Sequence, residues 1–135
     1  MKLKASLALA FGLLSGMAYS ATDLVIATVN NRQMVEMQKL GKFFEQANPD
    51  IKLKWLVLEE GVLRARVTTD IATKGGQFDV MTIGMYETPI WGKKGWLKEI
   101  QPDANYDVDD LLPPIRAGLS VEGKLYAAPF YGESA

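Results

Sequence analysis

DLVIATV, residues 23–29, is a short apolar run that is rich in branched side chains. Such a run is typical of a parallel strand that is covered on both faces. A polar turn follows at 30–32, and residues 33–47 then have the periodicity of a helix. We expect the helix to end at Asn48–Pro49, because the residue before a proline is pushed out of the helical region. The apolar stripe predicted for this helix is Met37, Leu40, Phe44 and Ala47.

The next two segments repeat this order. IKLKWLVL, residues 51–58, alternates between apolar residues and two lysines at its start, which predicts a strand with one polar face. Leu63, Val67 and Ile71 are spaced four residues apart and predict a second helix with one apolar stripe. We expect this helix to end at residues 74–76, which contain two glycines.

The rest of the chain is less regular. Residues 79–83 are a third apolar strand, and 86–96 predict a short helix that Gly92 and Gly95 break. We expect another short helix at 109–119, interrupted by two prolines. A hairpin is predicted over 119–129, with its turn at Glu122–Gly123.

Alternating strands and helices predict an α/β fold with a mostly parallel sheet flanked by helices. Ligands of such sheets bind at the carboxyl ends of the strands. This rule selects three connections as candidate binding sites, namely 30–32, 58–61 and 83–87.

The first twenty residues have the order of a secretory signal peptide. A start with two lysines precedes an apolar segment at 5–14, and the small residues Gly16, Ala18 and Ser20 follow. We expect cleavage near residue 20 and a periplasmic mature protein. A membrane anchor is the alternative, but the apolar segment is shorter than the about 20 residues that a spanning helix needs.

Composition argues against several classes of protein. The chain contains no cysteine and no histidine, which weakens the case for a zinc site, and we predict no cofactor. Without Lys2 and Lys4, 13 basic residues face 16 acidic ones and no basic block exists, so we expect no nucleic-acid partner. A secreted glycosidase is the enzymatic alternative, because paired carboxylates are available at Glu60, Glu87 and Glu133, although no nucleophile motif occurs.

Three segments together resemble a known family. They are FEQANP at 44–49, KGGQFDVMTIG at 74–84 and GLSVEGKLYAAPFYGE at 118–133. In their order and spacing they resemble extracellular solute-binding proteins of the type II periplasmic fold, and within these the branch that binds sugars and polyols such as sorbitol and mannitol.

The resemblance implies two lobes that close on a sugar or sugar alcohol, and partners that are the permease and ATPase subunits of an ABC importer. It also implies a considerably longer chain. We therefore expect residues 21–135 to be an incomplete N-terminal lobe, acting as a monomer in the complete protein. A truncated lobe without a function of its own is the alternative.

Hydroxyl-rich ligands need carboxylates and amides for their hydroxyls and aromatic faces for their C–H groups. At the strand ends this chemistry is offered by five residues: Asn30, Asn31, Glu60, Tyr86 and Glu87. Each has a structural alternative, since asparagine caps helices, glutamate is favoured at a helix N-terminus, and Arg64 could pair with Glu60.

Three further candidates come from aromatic and acidic residues outside these connections. Trp91 could be a stacking platform for a ligand, and its alternative role is in the core. Tyr131 and Glu133 follow the hairpin, where the resemblance implies an acidic ligand contact. Glu133 could otherwise support the hinge between lobes.

Overall fold

The computed structural model describes residues 20–132, so most of the predicted signal peptide and the candidate Glu133 lie outside the described residues. Ten elements follow one another: β1 (Thr22–Val29), α1 (Arg32–Ala47), β2 (Ile51–Leu58), α2 (Glu60–Thr73), β3 (Val80–Met81), α3 (Glu87–Lys93), a 3₁₀ helix (Val108–Asp110), α4 (Pro113–Gly118), β4 (Ser120–Val121) and β5 (Lys124–Leu125). Within residues 20–132, no helix is long and apolar enough to cross a membrane.

The main sheet has three parallel strands in the order β2-β1-β3. Strand β1 lies in the centre and pairs along its whole length with β2, from Thr22 beside Ile51 to Val29 beside Leu58. The predicted α/β fold with a parallel sheet is thereby confirmed. All three strands consequently end at the same edge of the sheet.

Strand β3 is shorter than the predicted 79–83, since only Val80 and Met81 pair as a ladder with β1. Hydrogen bonds on either side still hold the segment against β1. The Asp79 carboxylate accepts from the Val25 N–H at 2.8 Å, and the Thr82 N–H donates to the Ala27 carbonyl at 3.0 Å. The side chain of Asp79 thus replaces part of the regular pairing.

The core lies between β1 and helices α2 and α3. Its fully covered members are Ala27, Leu63, Val67 and Trp91. The predicted stripe on α2 is confirmed at Leu63 and Val67, whereas Ile71 is half-buried and packs against this core. Full burial of side chains of the size of Leu63 and Val67 stabilises the fold by about 1.5–3 kcal/mol each.

The stripe predicted for α1 is wrong. Leu40, Phe44 and Ala47 are exposed, and α1 instead buries Met34 and Gly41. A Cβ atom on Gly41 would lie 3.1 Å from the Leu53 side chain, so the glycine permits α1 to approach β2 closely. The closest approach of the backbones determines which face is buried, and the bulkier apolar residues lie beside it.

Helix α2 ends at Thr73, directly before the predicted terminator, but the left-handed residue there is Lys74 rather than a glycine. Lys74 has a φ of 56°, and the Gly75 N–H donates to the Asp70 carbonyl at 2.8 Å. The buried Asp70 carboxylate also accepts from the Gln77 N–H at 3.1 Å. This aspartate therefore secures the turn between α2 and β3.

The two short helices predicted after β3 need correction. Helix α3 spans only Glu87–Lys93, because Gly95 has a φ of 66° and turns the chain away. The segment predicted as one helix at 109–119 is a 3₁₀ helix followed by α4, which starts at Pro113. Prolines fit the first turn of a helix, where no N–H is needed, so here they begin a helix instead of interrupting one.

The predicted hairpin is confirmed by the antiparallel pair β4 and β5. Its turn residues Glu122 and Gly123 both have positive φ values, 51° and 80°, as a two-residue hairpin turn of the mirror-image type requires. Helix α3 packs against β4, where a Cβ atom on Gly92 would lie 2.9 Å from Val121. The hairpin is thus fixed to the same side of the molecule as α3.

Candidate functional site

The three connections selected from the sequence meet at one edge of the sheet. The Asn30 N–H donates to the Leu58 carbonyl at 3.2 Å, which joins the ends of β1 and β2. The buried Thr28 hydroxyl lies 2.8 Å from the Thr82 hydroxyl, which joins β1 to the segment after β3. An open cavity of about 1830 Å³ runs across this edge. Of the polar residues in the three connections, Asn30, Asn31, Glu59, Glu60 and Glu87 line this one cleft, whereas Tyr86 is not part of its lining.

At the β1–α1 connection the two asparagines have different roles. The Asn31 side-chain oxygen accepts from the Met34 N–H at 2.9 Å and caps α1, which is the structural alternative for this residue. Asn30 is exposed beside it, lines the cleft, and its side-chain amide has no hydrogen-bond partner within residues 20–132. Of the two, Asn30 is the one whose amide is available to a ligand.

The β2–α2 connection also has one capping residue. Glu59 accepts from the Val62 N–H at 3.2 Å and is the N-cap of α2. Backbone hydrogen bonds from Gly61 and Val62 hold the pKa of Glu59 below its ordinary value of 4.5. Its neighbour Glu60 accepts from Arg64 at 2.9 Å, which is the structural alternative given for this residue, and 66% of its side chain remains exposed.

The β3–α3 connection contains the most buried carboxylate of the cleft. Glu87 keeps only 10% of its side chain exposed, and its two oxygens accept from Arg64 and from the Gly84 N–H. Tyr86, the residue before it, is 76% exposed. The two candidates of this connection thus differ, because one is bound into the protein and the other is open to a ligand.

Trp91 is 6% exposed and belongs to the core. Its ring centroid lies 6.4 Å from that of Trp96. This is the structural alternative that the sequence left open, although Trp91 still forms part of the cleft wall. Tyr86 is the more exposed aromatic residue of this connection, although it does not line the cleft itself.

Tyr131 lies after the hairpin and is half-buried, with its ring perpendicular to that of Phe130 at a centroid distance of 5.7 Å. Both aromatic residues line the cleft. The second candidate of this segment, Glu133, lies outside the described residues. The structure therefore adds an aromatic pair to this side of the cleft.

Sequence reasoning missed the bridging role of Arg64. The spacing of four residues predicts its pairing with Glu60, but the contact with Glu87 spans 23 positions and depends on the packing of α2 beside α3. It also missed the Thr28–Thr82 hydroxyl pair, for which the only signal is a threonine at the end of an apolar strand.

Chemically, the cleft edge offers carboxylate and amide acceptors, guanidinium donors and exposed aromatic rings. This set suits an uncharged molecule with many hydroxyl groups, since hydroxyls both donate and accept hydrogen bonds. In the part of the chain that the structure describes, no three acidic residues are placed to hold a metal ion together.

Comparisons with known proteins agree with this chemistry. Residues 28–135 match the family described as bacterial extracellular solute-binding protein. The chain is 59% identical over 133 residues to a mannitol-binding protein of Pseudomonas aeruginosa. The aligned region covers 98% of this chain and 30% of that protein.

Two solved structures are similar in fold. An ABC transporter solute-binding protein of Agrobacterium vitis S4 with bound D-mannitol has 63% sequence identity and a TM-score of 0.78, covering 81% of this chain and 27% of that one. A solute-binding protein of Agrobacterium radiobacter K84 in complex with ribitol has 24% identity and a TM-score of 0.73, covering 83% and 29%. The chain spans about 30% of the length of these relatives, and over that part it belongs to the family of bacterial extracellular solute-binding proteins.

Proposed function

We propose that the protein containing this chain is the substrate-capturing component of an ABC importer and that it binds a sugar alcohol of the D-mannitol type. The observation that carries this proposal is the identity of 59–63% to a mannitol-binding protein and to a structure with bound D-mannitol. The proposal extends from these relatives to this protein, and it includes delivery of the ligand to membrane permease subunits from the periplasm.

The chemistry of the cleft edge supports a linear polyol. Such a ligand carries no charge, and each of its hydroxyls can donate to a carboxylate or an amide oxygen. Glu60 and Asn30 keep these oxygens accessible, and Tyr86 offers a ring for the C–H groups. We propose these three residues, together with Tyr131 and Glu133, as ligand contacts.

The roles of the other three candidates are different in this proposal. Asn31, Glu87 and Trp91 support the cleft, because each is bound into the fold through a cap, an ion pair or the core. Ligand capture requires no reacting group, so we infer binding without turnover. This inference is supported by relatives that are solute-binding proteins.

Calorimetric titration of the protein at its natural length tests the proposal. D-Mannitol should bind, and ribitol, which has one carbon and one hydroxyl fewer, should bind roughly 5–150-fold more weakly, since the missing hydroxyl leaves a polar group of the site unpaired and an unpaired buried group costs about 1–3 kcal/mol. Turnover of a chromogenic glycoside, or no heat with any polyol, would contradict it.

A further inference from the structure

Three charged side chains from two helices meet beside the cleft. One guanidinium nitrogen of Arg64 donates to Glu87 and the other donates to Glu60 at 2.9 Å. The side chains of Glu60 and Arg64 are 66% and 53% exposed, whereas that of Glu87 is only 10% exposed. Arg64 therefore connects a buried carboxylate with a carboxylate at the surface.

The buried carboxylate fixes the loop that precedes α3. One oxygen of Glu87 accepts from Arg64, and the other accepts from the Gly84 N–H at 3.1 Å. A Cβ atom on Gly84 would lie 2.8 Å from that second oxygen, so only glycine permits this approach. The loop is consequently held to α3 by a side chain that itself depends on Arg64.

A second residue of α3 completes the attachment of Gly84. Thr88 is fully buried, and both its hydroxyl and its N–H donate to the Gly84 carbonyl, at 2.8 and 3.1 Å. Gly84 thus has its N–H and its carbonyl bound to the first turn of α3. The two residues that follow it, Met85 and Tyr86, are exposed, and Met85 lines the cleft.

The same loop is supported from the side of α4. A Cβ atom on Gly118 would lie 2.1 Å from the methyl group of Met85, so the methionine rests on this glycine. Tyr86, at 76% exposure, is more exposed than Met85, at 44%. Its position is therefore determined by the attachments of its neighbours.

We infer that Arg64 is a positioning residue of the polyol site, which acts on the ligand through Glu87, Gly84 and the exposed Tyr86. This inference rests on the proposed function. Without Arg64, the Glu87 carboxylate has no cation among residues 20–132 in contact with it, and a buried carboxylate without a partner is strongly unfavourable. The carboxylate then turns towards water, and the Gly84 N–H loses its acceptor.

A double-mutant cycle on the natural-length protein separates this role from direct ligand contact. Arg64→Ala and Glu87→Gln should each weaken D-mannitol binding on the order of tenfold. Because the two residues act through the same contact, the affinity of the double variant should equal that of the single variant with the lower affinity. If the two fold-losses multiply, Arg64 contacts the ligand by itself and the inference is overturned.

Hydrogen exchange at the Gly84 amide gives a readout that does not depend on the ligand. Exchange should become faster in Arg64→Ala and in Glu87→Ala, which removes the acceptor of the Gly84 N–H, and Arg64→Lys should restore part of the protection because a lysine can still pair with Glu87. Unchanged exchange in Arg64→Ala would contradict the role of Arg64 even if affinity falls.

Arg66→Ala is the matched control, because Arg66 lies on the same helix and contacts the Phe78 ring at 6.0 Å instead of a carboxylate. It should change neither affinity nor exchange at Gly84. If the wild-type protein binds no polyol, the proposed function fails, and the exchange experiment still decides whether Arg64 holds the loop.

Discussion

The β1–α1 and β3–α3 connections lie at the same edge of the sheet and both carry two adjacent ligand candidates, but they are held in different ways. In the first, Asn31 accepts from Met34, three residues along the chain. In the second, Glu87 accepts from Gly84 and also from Arg64, which belongs to another helix. The first connection is fixed by its own helix, and the second is fixed by tertiary packing.

In each pair, one residue is bound into the protein and the other is left for a ligand. The helix or loop first uses the side chain that can satisfy its free N–H groups, because uncapped groups at a helix start have no partner inside the helix. The other member, Asn30 or Tyr86, remains exposed, and Asn30 lines the cleft. Adjacent polar residues at a strand end are therefore not equivalent.

Among the variants of the two connections, Glu87→Ala should lower the free energy of unfolding most. It removes the acceptor of Gly84 and the buried partner of Arg64, so the free energy of unfolding should fall by about 1.5–3 kcal/mol, the range for hydrogen bonds to a charged group. Denaturant unfolding of the natural-length protein measures this change.

Glu60→Ala is the matched control for that experiment, because Glu60 pairs with the same arginine from an exposed position. Glu60→Ala should lower the free energy of unfolding by at most about 0.5 kcal/mol, as is found for other exposed ion pairs within one helix. Equal losses for the two variants would show that burial of Glu87 contributes nothing, and the comparison between the connections would fail.

Much of the fold could be predicted because it depends on local patterns. The branched run of β1, the stripe of Leu63 and Val67, and the turn at Glu122–Gly123 each identify their elements. The face of α1 could not be predicted, since it depends on how closely Gly41 approaches Leu53 across the sheet. Periodicity locates a helix, but close packing orients it.

The site likewise has features that follow from local sequence patterns and features that depend on tertiary packing. Residue types and strand ends were enough to predict the edge and its polar residues, and all of the predicted candidates there except Tyr86 line one cleft. The bond between Arg64 and Glu87 joins residues 23 positions apart, and the core position of Trp91 depends on the packing of α3 against β1 and α2. Neither follows from a pattern within a single element.

A smaller effect is expected at the other connection of the comparison. Asn31→Ala removes the cap of α1 and should lower the free energy of unfolding by about 1 kcal/mol. Asn31→Ser should retain most of the stability, because a serine side chain can also cap the helix. Asn30→Ala should change stability by less than about 0.5 kcal/mol, because its side chain is exposed. The same denaturant experiment measures all three variants.

For ligand affinity the order should be the opposite, with a larger effect of Asn30→Ala than of Asn31→Ala. Asn30→Ala removes a proposed ligand contact and should weaken D-mannitol binding roughly 2–12-fold, the equivalent of one ordinary hydrogen bond. Asn31→Ala should leave affinity nearly unchanged. If Asn31→Ala weakens binding more than Asn30→Ala does, the assignment of cap and contact within this pair is reversed.

The smallest expected effect concerns Glu59, the cap of the remaining connection. Its pKa is lowered from 4.5 by backbone hydrogen bonds, first from Gly61 and then from Val62. A carboxylate whose pKa is lower in the folded state stabilises the fold at pH values above the unfolded pKa. This contribution is lost as the pH falls from about 4.5 through the lowered value.

NMR titration should therefore find Glu59 half-protonated below pH 4.5, and Glu59→Gln should reduce the loss of stability on acidification in that range. Glutamine keeps a side-chain oxygen for the Val62 N–H, so α2 stays capped while the titrating charge is removed. Because Glu59 is exposed, the change in the acid profile should be smaller than the losses at Glu87 and Asn31. Titration of Glu59 at or above pH 4.5, or an identical acid profile in the variant, would mean that this cap depends on hydrogen-bond geometry alone. The β2–α2 connection would then resemble the neutral cap of Asn31 rather than the charged attachment made by Glu87.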